Sequence, residues 1–369
     1  MRGSVRPCRG GIPLPSTPVE SLEVERAKTM KMKKLINDPL QVADELVQGF
    51  VALNGRHFRQ IPGMNVIVRR AMPQGGRVGV VIGGGSGHEP LFLEFIGKGL
   101  GDAAVQGAIF TSPGPDAILE ALRSVNGGSG VLCVYGNYTG DNLNFGLAEE
   151  RAAGEGITVK MVRVWDDIAS APRGQEDERR GTAADLFVIK IAGAAAERGW
   201  SLGEAYRVTA KARDNCRSLG VALSSCTLPG TDVPIFSIGD NEMMVGMGLH
   251  GEPGVESTTL KTADDTCALM IDRILPDLPF RAGDQVNLLI NGYGATTMME
   301  LFIIARRAYQ KLTEKGIDVY EGLAGNCCTS QEMAGCSITL MRLDDELRSL
   351  WDDPAWSPGF SRVPASLRG

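Results

Sequence analysis

Three histidines occur in this chain, and two of them stand in glycine-framed turns that lead into Glu-Pro. His88 lies in "GGGSGHEP" (residues 83–90), and His250 lies in "GMGLHGEPG" (246–254) between Gly248 and Gly251. An imidazole on an accessible, sharply turning backbone can carry protons near neutral pH or attack a carbonyl carbon as a nucleophile. For His88 two readings stay open: proton transfer at a ligand site, or a surface histidine in a tight turn. His57, in "NGRHFRQIPG", has no such frame and reads as a surface residue.

Other turns carry further candidate groups. In "GNYTGDNLNF" (136–145), Asp141 is either a helix N-cap or a carboxylate that takes a hydrogen bond or a proton from a ligand hydroxyl. In "FTSPGPD" (110–116), Ser112 either caps the next helix or bonds a ligand. The glycines of residues 83–87 allow close backbone approach and offer amide donors, but no Lys-Ser/Thr follows, so this is not a Walker loop. Asp240, Asn241 and Glu242 are either metal-binding or solvated, turn-capping groups. Among the eight cysteines, the close set Cys327, Cys328 and Cys336 lacks the paired spacing and the histidines of a zinc site. They read as reduced, mostly buried thiols of a cytosolic protein.

These turns follow short apolar runs. "RVGVVI" (77–82), "GVLCVY" (130–135) and "ITVKMVRVW" (157–165) read as strands, with helices at 115–125 and 144–156 between them, after an amphipathic helix that begins near Asp38-Pro39. This alternation argues for an α/β domain with a mainly parallel sheet. Glycine-rich turns at strand ends are where open α/β sheets bind ligands. The polar segment 171–185 reads as an exposed connection, followed by two helices, the second with Ser201 and Glu204 in capping-box spacing. "GVALSSCTL", "PIFSIG" and "QVNLLING" then read as strands of a second α/β unit, and "GATTMMELFIIARRAYQKLTEKG" as its turn and helix.

The expected division is a disordered tail over residues 1–30, a first α/β domain over 31–215, a second over 216–340 that carries His250, and a segment 341–369 that returns to the first. The ligand site is expected at the glycine-rich strand ends near the domain interface. A hydrophobic content of 43% and a charged content of 22% fit a globular chain, and no run reaches the roughly 18–20 apolar residues of a membrane span. A net charge of −6 gives no basic footprint for nucleic acid.

Together, "KKLINDP", "GGGSGHEP", "FTSPGPD", "NYTGDNLNF", "DNEMMVGMGLHGEPG", "NGYGATTMMEL" and "CSITLMRLDDELRSLWDDP" closely resemble the K subunit of dihydroxyacetone kinases, in that family's order from about residue 33 to 355. The resemblance implies a two-domain, usually homodimeric subunit that binds a short-chain ketose but not ATP. It implies that His250 forms a hemiaminal with the ketone, that Gly84, Gly85, Ser112 and Asp141 surround the substrate, and that His88 and Asp141 assist proton transfer. No metal is expected on this chain. Mg and ATP or ADP are expected on a separate nucleotide-binding L subunit, so the chain alone should be inactive.

One departure concerns the substrate. Where the family has Lys before "NYTGD", this chain has Gly136. Loss of the cation and the added volume imply altered specificity, such as for a four-carbon ketose of the erythrulose type. Two other readings are a ketose sensor that co-regulates transcription without phosphoryl transfer, and a fatty-acid-binding α/β module. Retention of His88 and Asp141 beside His250 favours the enzyme over the sensor, and a lipid pocket has no need of the histidine turns.

Overall fold

The computed structural model describes residues 32–71 and 75–363, together with Gly3. The expected tail over residues 1–30 therefore lies outside the described residues, Gly3 apart. After helix α1 (Val42–Asn54) the chain forms β1 (Phe58–Gln60), β2 (Val66–Arg69), β3 (Gly79–Ser86), β4 (Ala103–Ile109), α2 (Pro115–Val125), β5 (Val131–Gly136), α3 (Thr139–Gly154) and β6 (Val159–Val164). The six strands make one sheet in the order β1-β2-β4-β3-β5-β6. The run β4-β3-β5-β6 is parallel, and β1 and β2 add an antiparallel edge.

Side chains on β3 alternate between two cores, as the pleat requires. Val81 joins Ile118, Leu122 and Phe145 of α2 and α3, whereas Val80 and Ile82 join the cluster that holds α4 (Asp185–Glu197). Every residue from Asp185 to Ala196 in α4 is buried. A helix that is apolar all round belongs between layers, and each fully buried large aliphatic or Phe side chain there contributes about 1.5–3 kcal/mol. Helix α5 (Leu202–Asp214) follows, with the Ser201 hydroxyl accepting the Glu204 amide at its N-cap.

The second sheet begins with β7 (Cys216–Ala222), β8 (Glu242–Val245) and β9 (Glu256–Thr259), continues through α6 (Ala263–Asp277), β10 (Gln285–Gly292), α7 (Met298–Glu314) and β11 (Asp318–Gly325), and ends with β12 (Gly335–Leu343). Its order is β11-β10-β12-β7-β8-β9, parallel only between β10 and β11. Val286, Leu288 and Ile290 face α6 and α7, while Leu289 and Met341 belong to the cluster built around α4. Helix α8 (Asp345–Trp351) lays Trp351 edge-on against Phe187 of α4 at 5.3 Å, and Lys190 donates to the Leu350 carbonyl at 2.8 Å.

Two expectations fail locally. "PIFSIG" is a loop with a single bridge, Thr227 to Pro234, because residues 226–239 run outside the β7–β8 pair. The polar segment 171–185 is exposed only in part. Arg179 is fully buried and grips Asp277 with both terminal nitrogens, at 2.8 and 2.7 Å, and Asp166 takes the Thr182 amide and hydroxyl. Buried charge is tolerated here because each group is paired and hydrogen-bonded.

Candidate functional site

Strand ends of the first sheet meet one loop of the second. β3 runs out through Gly84 and Gly85 into the turn bearing His88; β5 ends at Gly136, and Asp141 lies in the first turn of α3. His250 sits on the loop between β8 and β9. That loop is tied by Gly251 donating to the Gly248 carbonyl at 3.1 Å and by Arg180 donating to the Gly246 carbonyl at 3.1 Å while it grips Asp167. Gly84, Gly85, His88, Phe92, Gly136, Tyr138, Asp141, Asp185 and His250 border one cavity, with about 320 Å³ of empty space including its mouth. At Gly84 a Cβ would lie 2.4 Å from the Phe92 ring, so only glycine brings this backbone to the cavity wall.

The two histidines face each other directly. His88 Nε2 lies 2.9 Å from His250 Nε2, His88 Nδ1 lies 2.7 Å from the Thr329 carbonyl, and His250 Nδ1 lies 3.1 Å from Glu252 Oε1. A carbonyl only accepts, so His88 carries its proton on Nδ1. Burial, reinforced by the nearby His250, lowers the His88 pKa to about 3, so the ring is neutral and its Nε2 is an acceptor. Burial pushes the Glu252 carboxyl up, but the hydrogen bond and charge of His250, with Arg180, outweigh it and hold Glu252 at about 2. The contacts are all satisfied when His250 donates from both nitrogens, as an imidazolium between an acceptor imidazole and a carboxylate.

Aromatic rings fence this pair. Phe110 stacks on His88 at 5.0 Å, and Tyr138 meets His250 edge-on at 4.8 Å with its hydroxyl donated to the Gly181 carbonyl. Asp141 is 8% exposed, and its Oδ1 has no hydrogen-bond partner. Burial raises its pKa to about 6, against the opposing pull of the Ser112 hydroxyl and the His250 charge.

Of the residues singled out in the sequence, His88, His250, Asp141, Gly84, Gly85 and Gly136 border the cavity. Ser112 stands beside Asp141 rather than on that border. Three local readings are corrected. Asp141 is not an N-cap, because α3 starts five residues earlier than expected and Tyr138 holds the cap position without a side-chain bond. Ser112 does not cap α2, whose N-cap is Gly114. His88 is not a surface histidine, being 4% exposed. His57 is exposed and packs against Trp356. Glu242 closes its own turn on the Gly239 amide, and among the described residues no acidic, cysteine and histidine cluster fits a metal. The seven described cysteines are free thiols.

Sequence reasoning missed Glu252, Tyr138, Phe110, Thr329 and Asp185. Glu252 had a signal, since "HGEP" puts a carboxylate two residues after the histidine, within reach of both its ring and its amide. Phe110 and Tyr138 lie inside the quoted turns "FTSPGPD" and "GNYTGDNLNF", where only Ser112 and Asp141 were weighed, whereas Thr329 and Asp185 carry no such signal.

The Dak1 domain family matches residues 48–359. The chain is 44% identical over 330 residues to the dihydroxyacetone-binding subunit DhaK of a PTS-dependent dihydroxyacetone kinase from Listeria innocua, covering 89% of this chain and 99% of that one. It is 42% identical over 335 residues to an L-erythrulose kinase of Pectobacterium atrosepticum, covering 90% of this chain but only 56% of that larger protein. Among solved structures it superposes on a dihydroxyacetone kinase operon co-activator with a TM-score of 0.82 at 29% identity, over 86% of this chain and 98% of the other. With a mixed α/β structure of two six-stranded sheets carrying the ordered sequence blocks, the chain belongs to the Dak1 domain family, that of the dihydroxyacetone kinase K subunits.

Proposed function

We propose that this chain is the ketose-binding subunit of a dihydroxyacetone kinase-type phosphotransferase, holding a short-chain ketose as a hemiaminal on His250. The observation that carries the reading is the His88–His250 contact at 2.9 Å, with Glu252 on the far nitrogen of His250. His250 passes its Nε2 proton to His88 Nε2, and the freed lone pair attacks the ketone carbon. The N–C bond forms as the C=O π bond opens, and His88 returns the proton to the new oxyanion, leaving a hydroxyl. His88 is suited to a passing role because burial makes its charged form short-lived. The adduct's ring keeps one positive charge, which stays beside Glu252. A polyol has no electrophilic carbon and forms no such adduct, so capture selects ketoses.

Asp141, which borders the cavity and has one oxygen without a hydrogen-bond partner, then serves the substrate hydroxyl as acceptor. The phosphoryl group comes from ATP with Mg on an L-type partner and leaves ADP there, which is recharged to ATP before the next transfer; the absence of a Lys-Ser/Thr after residues 83–87 supports a separate nucleotide site. The exposed face of α7, with Met299 69% and Phe302 60% exposed, supports a homodimer. The similar co-activator structure makes a ketose sensor the second reading, and phosphorylation of the captured ketose on adding an L-type subunit with Mg-ATP separates the two. His250→Ala tests the reading itself. Intact mass and carbon-13 NMR should show the ketose adduct on the wild type and none on the variant, with little change in melting. An adduct retained by His250→Ala would overturn it.

A further inference from the structure

Asp185 opens the buried helix α4 and is 2% exposed, yet its Oδ1 has no hydrogen-bond partner and the residue borders the cavity. The two arginines just before it are engaged elsewhere, Arg179 with Asp277 and Arg180 with Asp167. The charges that bear on it are acidic, Asp166 and Asp141, and burial above all raises its pKa well above the ordinary value. Burial thus favours the protonated form of Asp185, a carboxylic acid with one O–H to donate and one carbonyl oxygen to accept. Such a group matches a hydroxyl, which also donates and accepts. An anion would meet its acceptor lone pairs, and a cation would have to pull off its proton.

The position of Asp185 points to a particular part of a substrate. A Cβ on Gly136 would lie 3.2 Å from the Tyr138 ring and 3.8 Å from Asp185 Oδ2, so glycine keeps open the space between them. Tyr138 also meets His250, edge-on at 4.8 Å, and all four residues border the same cavity. A ketose fixed at its carbonyl on His250 and extended along the Gly136 wall would bring its far end to Asp185.

We infer that Asp185 is a specificity-determining residue, which hydrogen-bonds the hydroxyl end of a four-carbon ketose distal to the reacting carbonyl and thereby favours it over a three-carbon one. This rests on the ketose-binding reading of the site. The test is to titrate the full chain with dihydroxyacetone, D-erythrulose and L-erythrulose separately, following adduct formation by intact mass and affinity by calorimetry. Asp185→Ala should lower the ratio of erythrulose to dihydroxyacetone affinity about tenfold for the preferred enantiomer, the scale of one buried hydrogen bond. Asp185→Asn retains a donor and an acceptor and should restore most of that ratio. Gly136→Ala should lower it by filling the space beside Tyr138 while leaving the Asp185 carboxyl in place, so the inference remains testable if Asp185→Ala folds poorly. A carboxyl with only a structural role would change melting and leave the ratio alone. If the wild type captures dihydroxyacetone but no variant moves the ratio, this inference fails and the ketose-binding reading survives. If the wild type captures none of the three sugars, both fail.

Discussion

Replacing Asp141 by Asn should stabilise the protein at neutral pH while damaging its chemistry. The carboxyl is buried with one oxygen unpartnered, and burial raises its pKa from 3.8 to about 6. A raised pKa means the folded state favours the protonated acid. The benefit is fully present below pH 3.8, fades as pH rises through about 6, and beyond that ionisation costs the fold about 3 kcal/mol. Asp141 also lies in the first turn of α3, where the helix dipole favours a negative charge by about 0.3–1 kcal/mol in the opposite direction. Asn is neutral throughout and keeps the shape. Urea unfolding should therefore show the two proteins alike near pH 4 and the variant ahead by about 2–3 kcal/mol at pH 7.5. Phosphoryl transfer to the ketose, with an L-type partner, should fall about 10²–10⁴-fold through lost acid–base assistance. A stability difference independent of pH, or a variant less stable than wild type at pH 7.5, would refute the reasoning.

Three further outcomes are expected. Glu252→Gln keeps an acceptor for His250 Nδ1 but removes its charge, and should weaken ketose capture about 5–10-fold, the gap between a charged and a neutral hydrogen bond; equal adduct fractions at every ketose concentration would refute it. Since Glu252 is held at about 2, its contribution is complete above its ordinary 4.5 and is lost only as pH falls from there toward 2, so this group leaves capture flat between pH 5 and 8. The isolated chain with Mg-ATP and dihydroxyacetone should show no turnover in a steady-state assay and gain it on addition of an L-type subunit; robust turnover alone would reveal a nucleotide site on this chain.

Strong local patterns made much of the architecture legible. Residues 115–125 and 285–292 are helix and strand as read, because one opens with proline and has a wide apolar face, and the other is a continuous buried run. What escaped was structure that only tertiary pairing creates. β4 reads "AAVQGAI", weak in β-branched residues, yet it lies between β2 and β3 and is buried through most of its length. "PIFSIG" has the composition of a strand but pairs only at a single bridge, Pro234 to Thr227, and propensity without a ladder does not make a strand.

The candidate site divides along the same line. Glycine-framed histidines are visible because backbone constraint and side-chain chemistry sit within a few residues of each other. Their mutual contact is invisible, since 162 positions separate them and only the approach of the β8–β9 loop to the end of β3 joins them. The proton arrangement is less visible still. It depends on Thr329 offering a carbonyl rather than an amide to His88, a backbone detail that any residue type at 329 would supply. Side chains in such a site are constrained by what faces them, so Asp185 passes unnoticed within "GTAADLF" and acquires meaning only opposite Gly136. An unpartnered buried carboxyl is costly to keep in a fold. Its place on the cavity wall, rather than among the paired arginines a few residues before it, supplies the reason to look for a hydroxyl that answers it.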